Sequence, residues 1–416
     1  MKRGIAEAIA KTPELDPLDS RPTLMIVAGE VSSDQLASSL AAELFARIAG
    51  VSIFGMGGTN LRRIGVETIV DSETHASVMG FTELRGSMSK VYRAFQTLVS
   101  EAERRRPDLA ILLDFPDFNL RLARRLHRLG IRTVYFVSPQ LWAWRKRRVN
   151  FIRRYIERVI TIFPFEEHFY ERHGVAAEYV GHPFVDRPPV TLSRSEFCLE
   201  HGLDPTLPII ALLPGSRRGE VERLLPPLVS AFSRIREGRP GIQAVIPVAP
   251  SLDTEWVSEQ VRNNNAPGVT IVAGYAREAL ASADVAVVAS GTATVEAALS
   301  GIPFVVVYRL SAISYLIART LVTGVKYFAM PNLVAGESIV PELLQDEVTP
   351  ERIANEVETL LGSPIEASRM RRRLAVVSEK LSKAGSPGET AISRTASIII
   401  SILRPGAKSA GRLRWR

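Results

Sequence analysis

The stretch Ile209-Ile210-Ala211-Leu212-Leu213-Pro214-Gly215-Ser216-Arg217-Arg218-Gly219-Glu220 is an apolar run that breaks at Pro-Gly-Ser and resumes in charged residues. A buried strand that ends in small residues ahead of a helix leaves backbone N–H groups facing outward, a setting that attracts phosphate. Gly215 and Ser216 would form that turn, and Arg217 could grip a diphosphate in bidentate fashion. The plain alternative is an ordinary turn with a solvated arginine pair. Ala289-Ser290-Gly291-Thr292-Ala293-Thr294-Val295-Glu296 repeats the pattern. There Ser290, Gly291 and Thr292 lead into a helix as a second anion site, and Glu296 on its first turn could accept hydrogen bonds from ribose hydroxyls. Asn332 and Gln345 are expected near the same face. Two such turns close together point to a nucleotide diphosphate.

The first half of the chain carries different chemistry. Asp114 ends the apolar run 109–113 and is followed by Phe115-Pro116-Asp117-Phe118-Asn119. A carboxylate at a strand end beside apolar residues can have a raised pKa and act as a general base, or it can simply cap the next helix. Trp142 and Trp144, beside a basic run, suit either a wall for a bulky amphipathic substrate or a plug at a sheet edge. His182, in Gly181-His182-Pro183, falls in a linker, where it would position a phosphate or hydrogen-bond the hinge. The six histidines are scattered and no His/Cys/Asp cluster has metal-ligand spacing. No Walker-type loop or Gly-x-Gly-x-x-Gly is present, which disfavours ATP and hydride-transfer cofactors.

These residues need elements to place them at strand ends. Short apolar runs at 24–29, 51–55, 109–114, 133–137 and 158–163 read as buried parallel strands, with helical segments between them. Ser32, Ser33 and Asp34 are capping types that open the first helix. The prolines of 180–189 break the pattern, which restarts at Ile209–Leu213, Gln243–Val248, 269–272, Val285–Ala289 and 304–307, with helices at 221–236 and 294–299. The expectation is an α/β protein with two Rossmann-like, doubly wound parallel-sheet domains facing across a cleft. It divides into an extension 1–22, a first domain 23–187, a second 188–370 and a helical segment with a basic tail 371–416.

Composition agrees with that plan. The 416 residues are 46% hydrophobic and 23% charged, enough for two cores of ordinary size. Cys198 is the single cysteine, so no intrachain disulfide is possible. The N-terminal sequence lacks the apolar core of a signal peptide, and no apolar run approaches the roughly 20 residues that cross a bilayer. The net charge of +8 is concentrated at Arg145, Lys146, Arg147, Arg148, Arg153, Arg154 and Arg158, and again in the tail around Trp415. Without a nucleic-acid-binding pattern, such clusters suit phosphorylated substrates or an anionic membrane, or merely a solvated face. Val78, Met79, Phe81, Leu84, Met88, Val91 and Phe95, interspersed with Arg85, Lys90 and Arg93, read as an amphipathic surface element or a core-facing helix.

From about residue 24 to about 380 the chain resembles the lipid-A-disaccharide synthase family. The resemblance rests on Ala28-Gly29-Glu30-Val31-Ser32-Ser33-Asp34, Val78-Met79-Gly80 with Glu83, the Asp114–Asn119 segment, Ser138-Pro139-Gln140-Leu141-Trp142-Ala143-Trp144-Arg145, Pro164-Phe165-Glu166 and Val180-Gly181-His182-Pro183. It continues through Leu213–Arg217, Ser290–Glu296 and Pro331-Asn332-Leu333. It implies a GT-B fold and an inverting, metal-independent transfer without cofactor from UDP-2,3-diacylglucosamine to 2,3-diacylglucosamine 1-phosphate (lipid X). It also implies peripheral association with the cytoplasmic face of the inner membrane of a Gram-negative cell, with a homodimer among the open assemblies. In that scheme Asp114 is the base and Arg217 stabilises the departing diphosphate. Ser216 and Thr292 lie near the phosphates, and Glu296 and Asn332 help hold the nucleotide. Glu30, Ser32, Asp34, Asn119, Trp142, Trp144 and His182 fall on the acceptor side. The family's first loop usually reads Gly-Glu-x-Ser-Gly-Asp, so Ser33 stands where a glycine is usual and could narrow a close backbone approach. Competing readings are another GT-B enzyme, such as a UDP-sugar epimerase, and a non-catalytic paralogue that binds lipid or nucleotide.

Overall fold

The computed structural model describes residues 21–73, 84–142, 148–264, 267–311, 315, 326–382 and 388–404. The apolar runs form two all-parallel sheets. The first comprises β1 (Thr23–Ala28), β2 (Ser52–Gly57), β3 (Glu67–Asp71), β4 (Leu109–Leu113), β5 (Thr133–Phe136), β6 (Arg158–Thr161) and β7 (Ala177–Tyr179), in the order β3-β2-β1-β4-β5-β6-β7. The second comprises β8 (Ile209–Leu213), β9 (Gln243–Val248), β10 (Val269–Ala273), β11 (Val285–Ala289), β12 (Phe304–Tyr308) and β13 (Glu342–Leu344), in the order β10-β9-β8-β11-β12-β13.

Strands β4 and β8 are buried at every residue, because helices cover both faces of each sheet. In both sheets the chain starts near the middle, runs outward, and returns to pair on the other side of the first strand. Leu24–Ala28 pair with 109–113 in this way, and 285–288 with 210–213. Adjacent loops therefore part at the carboxyl ends of β1/β4 and of β8/β11, opening a crevice at each reversal. Residues 29–30, 114–115, 214–217 and 290–292 line those crevices.

Three strands were not legible as strands. β3, β7 and β13 are edge or near-edge strands of three to five residues carrying Glu67, Asp71, Glu178 and Glu342, too short and polar to read as buried. The helix expected at 221–236 runs Arg218–Gly238 and tolerates Pro226 and Pro227.

The C-terminal helices divide between the two sheets. Pro364–Leu381 packs against helices Ala293–Ser300, Met330–Ala335 and Pro350–Gly362 of the second domain, so a boundary at 371 falls inside a helix. Ala391–Leu403 crosses back to helix Val31–Arg47, where Arg47 donates to Ser393 O and Ser397 Oγ, each at 3.0 Å. Arg132 Nη1 donates to Ile402 O (2.8 Å) and Arg394 Nε to Val180 O (2.7 Å). One apolar cluster accordingly runs from Leu24 to Ile402 through both sheets.

Candidate active site

Asp114 stands just beyond β4 with φ of 48°, and Phe115 follows with φ of 49°, two consecutive non-glycine residues in the left-handed region. Such a turn persists only where its surroundings fix it. Buried Asn119 supplies that support, its Nδ2 donating to Leu113 O (3.0 Å) and Asp114 O (2.8 Å). The Tyr135 hydroxyl donates to the same Asp114 carbonyl. Gly29 admits the Phe115 ring, which would lie 2.6 Å from a Cβ placed there. The Asp114 side chain is half-buried, and desolvation raises its pKa to about 6. The charge of Glu30 pushes the same way, while the Phe115 N–H and Arg217 oppose it. The group is suited to proton abstraction near neutral pH.

The β1 turn divides its labour. Ser33 is buried, accepts from Glu30 N (2.9 Å) and donates to Glu30 O (2.8 Å). Its φ is not positive, so no glycine is needed here, and the hydroxyl fastens the Glu30 backbone. Ser32 is exposed on the first helical turn. Asp34 is fully buried, accepting from Gly58 N (2.6 Å), Asn60 N (3.0 Å) and Asn60 Nδ2 (3.0 Å). Asp34 and Asn119 thus clamp loops, and Glu30 is the acidic side chain left facing the cleft.

After β5, Val137 adopts φ of 59°, strained for a β-branched residue, and turns the chain into Ser138–Trp142. Beneath this loop Glu166 is buried, its Oε1 accepting from Ser138 Oγ (3.3 Å) and Trp142 Nε1 (3.4 Å), its Oε2 from Phe163 N (3.4 Å). Burial lifts its pKa to about 7 against those three donors. Trp142 also meets Phe165 edge-to-face at 5.0 Å. Trp144, with Arg145, Lys146 and Arg147, lies outside the described residues. His182 is a hinge residue. Its N–H donates to Leu381 O (2.9 Å), its Nδ1 accepts from Phe184 N (3.2 Å), and burial lowers its pKa to about 3. It stays neutral at physiological pH and serves packing.

In the second domain Gly215 has φ of 117°, and a Cβ there would lie 2.6 Å from Glu220 Oε2. Ser216 and Arg217 are exposed at the N-terminus of helix Arg218–Gly238. Ser251 Oγ donates to Ser216 O (2.8 Å), securing the turn from the β9 side. The Arg217 side chain is 71% exposed, 3.3 Å from Glu220 Oε1 and 3.9 Å from Glu30 Oε2 of the first domain. Gly291 and Thr292 are exposed and half-buried Ser290 adjoins them, with open space around Gly291. Glu296 is engaged by Arg187 at 2.6 Å, and that guanidinium lies 3.5 Å over the Phe184 ring.

Two expected nucleotide contacts have other roles. Asn332 is fully buried, donating to Val340 O (2.9 Å) and Glu342 Oε1 (2.7 Å) and accepting from Ile339 N (2.7 Å) and Val340 N (3.0 Å). That uses the whole capacity of its amide. Gln345 accepts from Leu310 N (2.6 Å), taking the place of a strand partner. Sequence reasoning passed over Arg187, Glu220 and Tyr308. Glu220 had a readable signal, an acid on the first helical turn three residues beyond Arg217. Arg187 had none, since its partner is 109 residues away.

Of the expected amphipathic element, 78–83 and the side chains of Leu84, Arg85 and Met88 lie outside the described residues. Val91 and Phe95 pack on the first core, Phe95 edge-to-face with Phe118 at 5.7 Å. Among the described residues no three His, Cys, Asp or Glu side chains form a metal-holding group, and no helix is long and apolar enough to cross a membrane.

Two parallel-sheet domains, with a C-terminal helix that returns to the first of them and a cleft lined by the loops after β1, β4, β8 and β11, form the GT-B fold of glycosyltransferases. Solved structures share the fold. The calicheamicin glycosyltransferase CalG4 superposes with a TM-score of 0.58 at 16% identity, covering 92% of this chain and 98% of its own. A UDP-N-acetylglucosamine 2-epimerase assignment from Listeria monocytogenes superposes at 0.60 and 13% identity, covering 92% and 96%. Residues 24–394 match the family model for lipid-A-disaccharide synthetase. A lipid-A-disaccharide synthase of Myxococcus xanthus is 44% identical over 389 residues, 92% of this chain and 98% of that protein. The chain belongs to the lipid-A-disaccharide synthetase family.

Proposed function

We propose that this glycosyltransferase moves 2,3-diacylglucosamine from its UDP conjugate to the 6-hydroxyl of 2,3-diacylglucosamine 1-phosphate, giving a β-1,6 disaccharide and UDP. The observation that carries the reading is the placement of Asp114 and Arg217 on facing sides of one cleft, each within electrostatic reach of the other. The Asp114 carboxylate takes the hydroxyl proton, and the acceptor oxygen forms its bond to the anomeric carbon from one face of the sugar. The bond from that carbon to the phosphate oxygen breaks on the opposite face, which inverts the centre. The electron pair leaves on the diphosphate, where Arg217, the Ser216 turn and the 290–292 turn stabilise the charge. Glu296 would hold the ribose with the carboxylate oxygen that Arg187 leaves open.

The acylated substrates place its work at the cytoplasmic face of the inner membrane in this reading, with the exposed Arg153 and Arg154 available to anionic headgroups. A homodimer is among the assemblies that this reading allows. The domains we assign are one unit around β1–β7 together with helix Ala391–Leu403, and a second around β8–β13. Purified protein given UDP-2,3-diacylglucosamine and radiolabelled lipid X should form disaccharide, and Asp114→Ala should form far less while still binding UDP. No disaccharide from the wild type would sink the assignment, and full activity in Asp114→Ala would sink the base.

A further inference from the structure

Within the second domain, the best-placed anion in the diphosphate turn belongs to the protein itself. Glu220 Oε2 accepts from Ser216 N at 3.1 Å and Glu220 Oε1 meets Arg217 Nη1 at 3.3 Å, the same two donors offered to a departing diphosphate. Gly215 admits this carboxylate, since a Cβ there would stand 2.6 Å from Oε2 and 2.8 Å from the Glu220 Cβ. Glu220 is only partly exposed, and its charge reaches Tyr308, whose hydroxyl pKa is raised chiefly by burial and secondarily by Glu220. Arg217 and Arg223 face Tyr308 with the opposite effect.

We infer that Glu220 is a tethered competitor of the diphosphate, which fills the anion seat when the nucleotide is absent and speeds discharge of UDP after transfer. The inference rests on the UDP reading of this site. A charged side chain on the first helical turn needs only rotamer changes to leave the seat or return to it, so competition requires no domain movement. Its cost is the loss of an exposed ion pair and one backbone hydrogen bond, enough to weaken every diphosphate ligand modestly and in common. A carboxylate that merely braced the turn would have the opposite signature, because removing it would weaken binding.

The test is isothermal titration of the full chain with UDP and with inorganic pyrophosphate, in wild type, Glu220→Gln and Glu220→Asp, alongside UDP product inhibition of the transfer. Removing or shortening the carboxylate should tighten both ligands by about three- to ten-fold and lower the inhibition constant for UDP correspondingly. Weaker or unchanged UDP binding by both variants, with thermal melts like wild type, would overturn the inference and leave the nucleotide site standing. Wild-type protein that does not bind UDP would instead remove the reading on which it rests. Should Glu220→Gln fail to fold, Glu220→Asp decides alone.

Discussion

Arg217 Nη2 of the second domain lies 3.9 Å from Glu30 Oε2 of the first, joining the two halves of the cleft through one guanidinium. Burial is the main cause of the raised Asp114 pKa; Glu30 adds to it and Arg217 lowers it, so the pair tunes the carboxyl from both sides. A diphosphate that draws Arg217 toward itself weakens the lowering influence. Nucleotide binding should therefore make Asp114 a stronger base as the substrate arrives.

The pH dependence of transfer should expose this arrangement. As the proposed base Asp114 works deprotonated, so kcat/KM should rise with pH along a limb centred at about 6. Glu30→Gln removes a raising influence and should move the limb downward, whereas Arg217→Gln should move it upward. Asp114→Asn should cut transfer by about 10²- to 10⁴-fold. Stability gives an independent reading. The native carboxyl holds its proton up to about 6, against 3.8 ordinarily, so the native state binds more protons across that window and loses stability as pH rises through it. Asp114→Asn should raise the melting temperature above the window and have no such benefit below it. A limb unaffected by Glu30→Gln would refute the coupling.

Glu166 should behave as the switch of the Trp142 loop. Its carboxyl titrates at about 7 rather than 4.5, so the same sign holds and the charged form destabilises the fold increasingly across that window. The charged form is also the better acceptor for the Trp142 indole. Tryptophan fluorescence should titrate with a midpoint near 7, and Glu166→Gln or Trp142→Phe should abolish that transition. Because the loop lies on the proposed acceptor side, Glu166→Gln should change KM for lipid X more than kcat. A midpoint that persists in both variants would assign the titration elsewhere.

The strand framework was readable because a parallel sheet covered on both faces writes itself as continuous apolar runs, as at Leu109–Leu113 and Ile209–Leu213. β7 and β13 were not, since three-residue edge strands follow from pairing with β6 and β12 rather than from their own residues. For the site, residue type at a strand end singled out Asp114 and Arg217, which the fold places at the carboxyl ends of β4 and β8. It did not separate side chains that face the cleft from side chains that build it. Asp34, Asn119, His182, Asn332 and Gln345 share the short polar character of ligand-binding groups, and their hydrogen bonds to backbone show them to be clamps. That distinction depends on which donors the fold brings within 3 Å, and no local pattern encodes it.

Ser33 makes the case experimentally accessible. Its hydroxyl holds both the N–H and the C=O of Glu30, so Ser33→Ala should destabilise the fold by about 1 kcal/mol, as loss of a helix-capping hydroxyl does. Ser33→Gly should cost somewhat more through backbone entropy. Both should loosen Glu30 and move the acid limb of transfer in the direction of Glu30→Gln. Improved turnover in Ser33→Gly would show instead that the side chain obstructs the acceptor.

Gly215 provides the sharpest test of the anion turn. With φ of 117° it occupies backbone space that side chains rarely adopt, and a methyl group would meet Glu220 at 2.6 Å. Gly215→Ala should therefore displace the Ser216 N–H and the Arg217 guanidinium together, weakening UDP by more than about ten-fold while lipid X binding changes little. The clash lies partly with the Glu220 Cβ, 2.8 Å away, so shortening Glu220 to alanine in the same chain should recover no more than the roughly three- to ten-fold gained by removing the carboxylate alone. The strain belongs to the backbone as well as to the contact. Calorimetry on the single and double variants reads both effects, and full recovery in the double variant would locate the whole defect in the carboxylate.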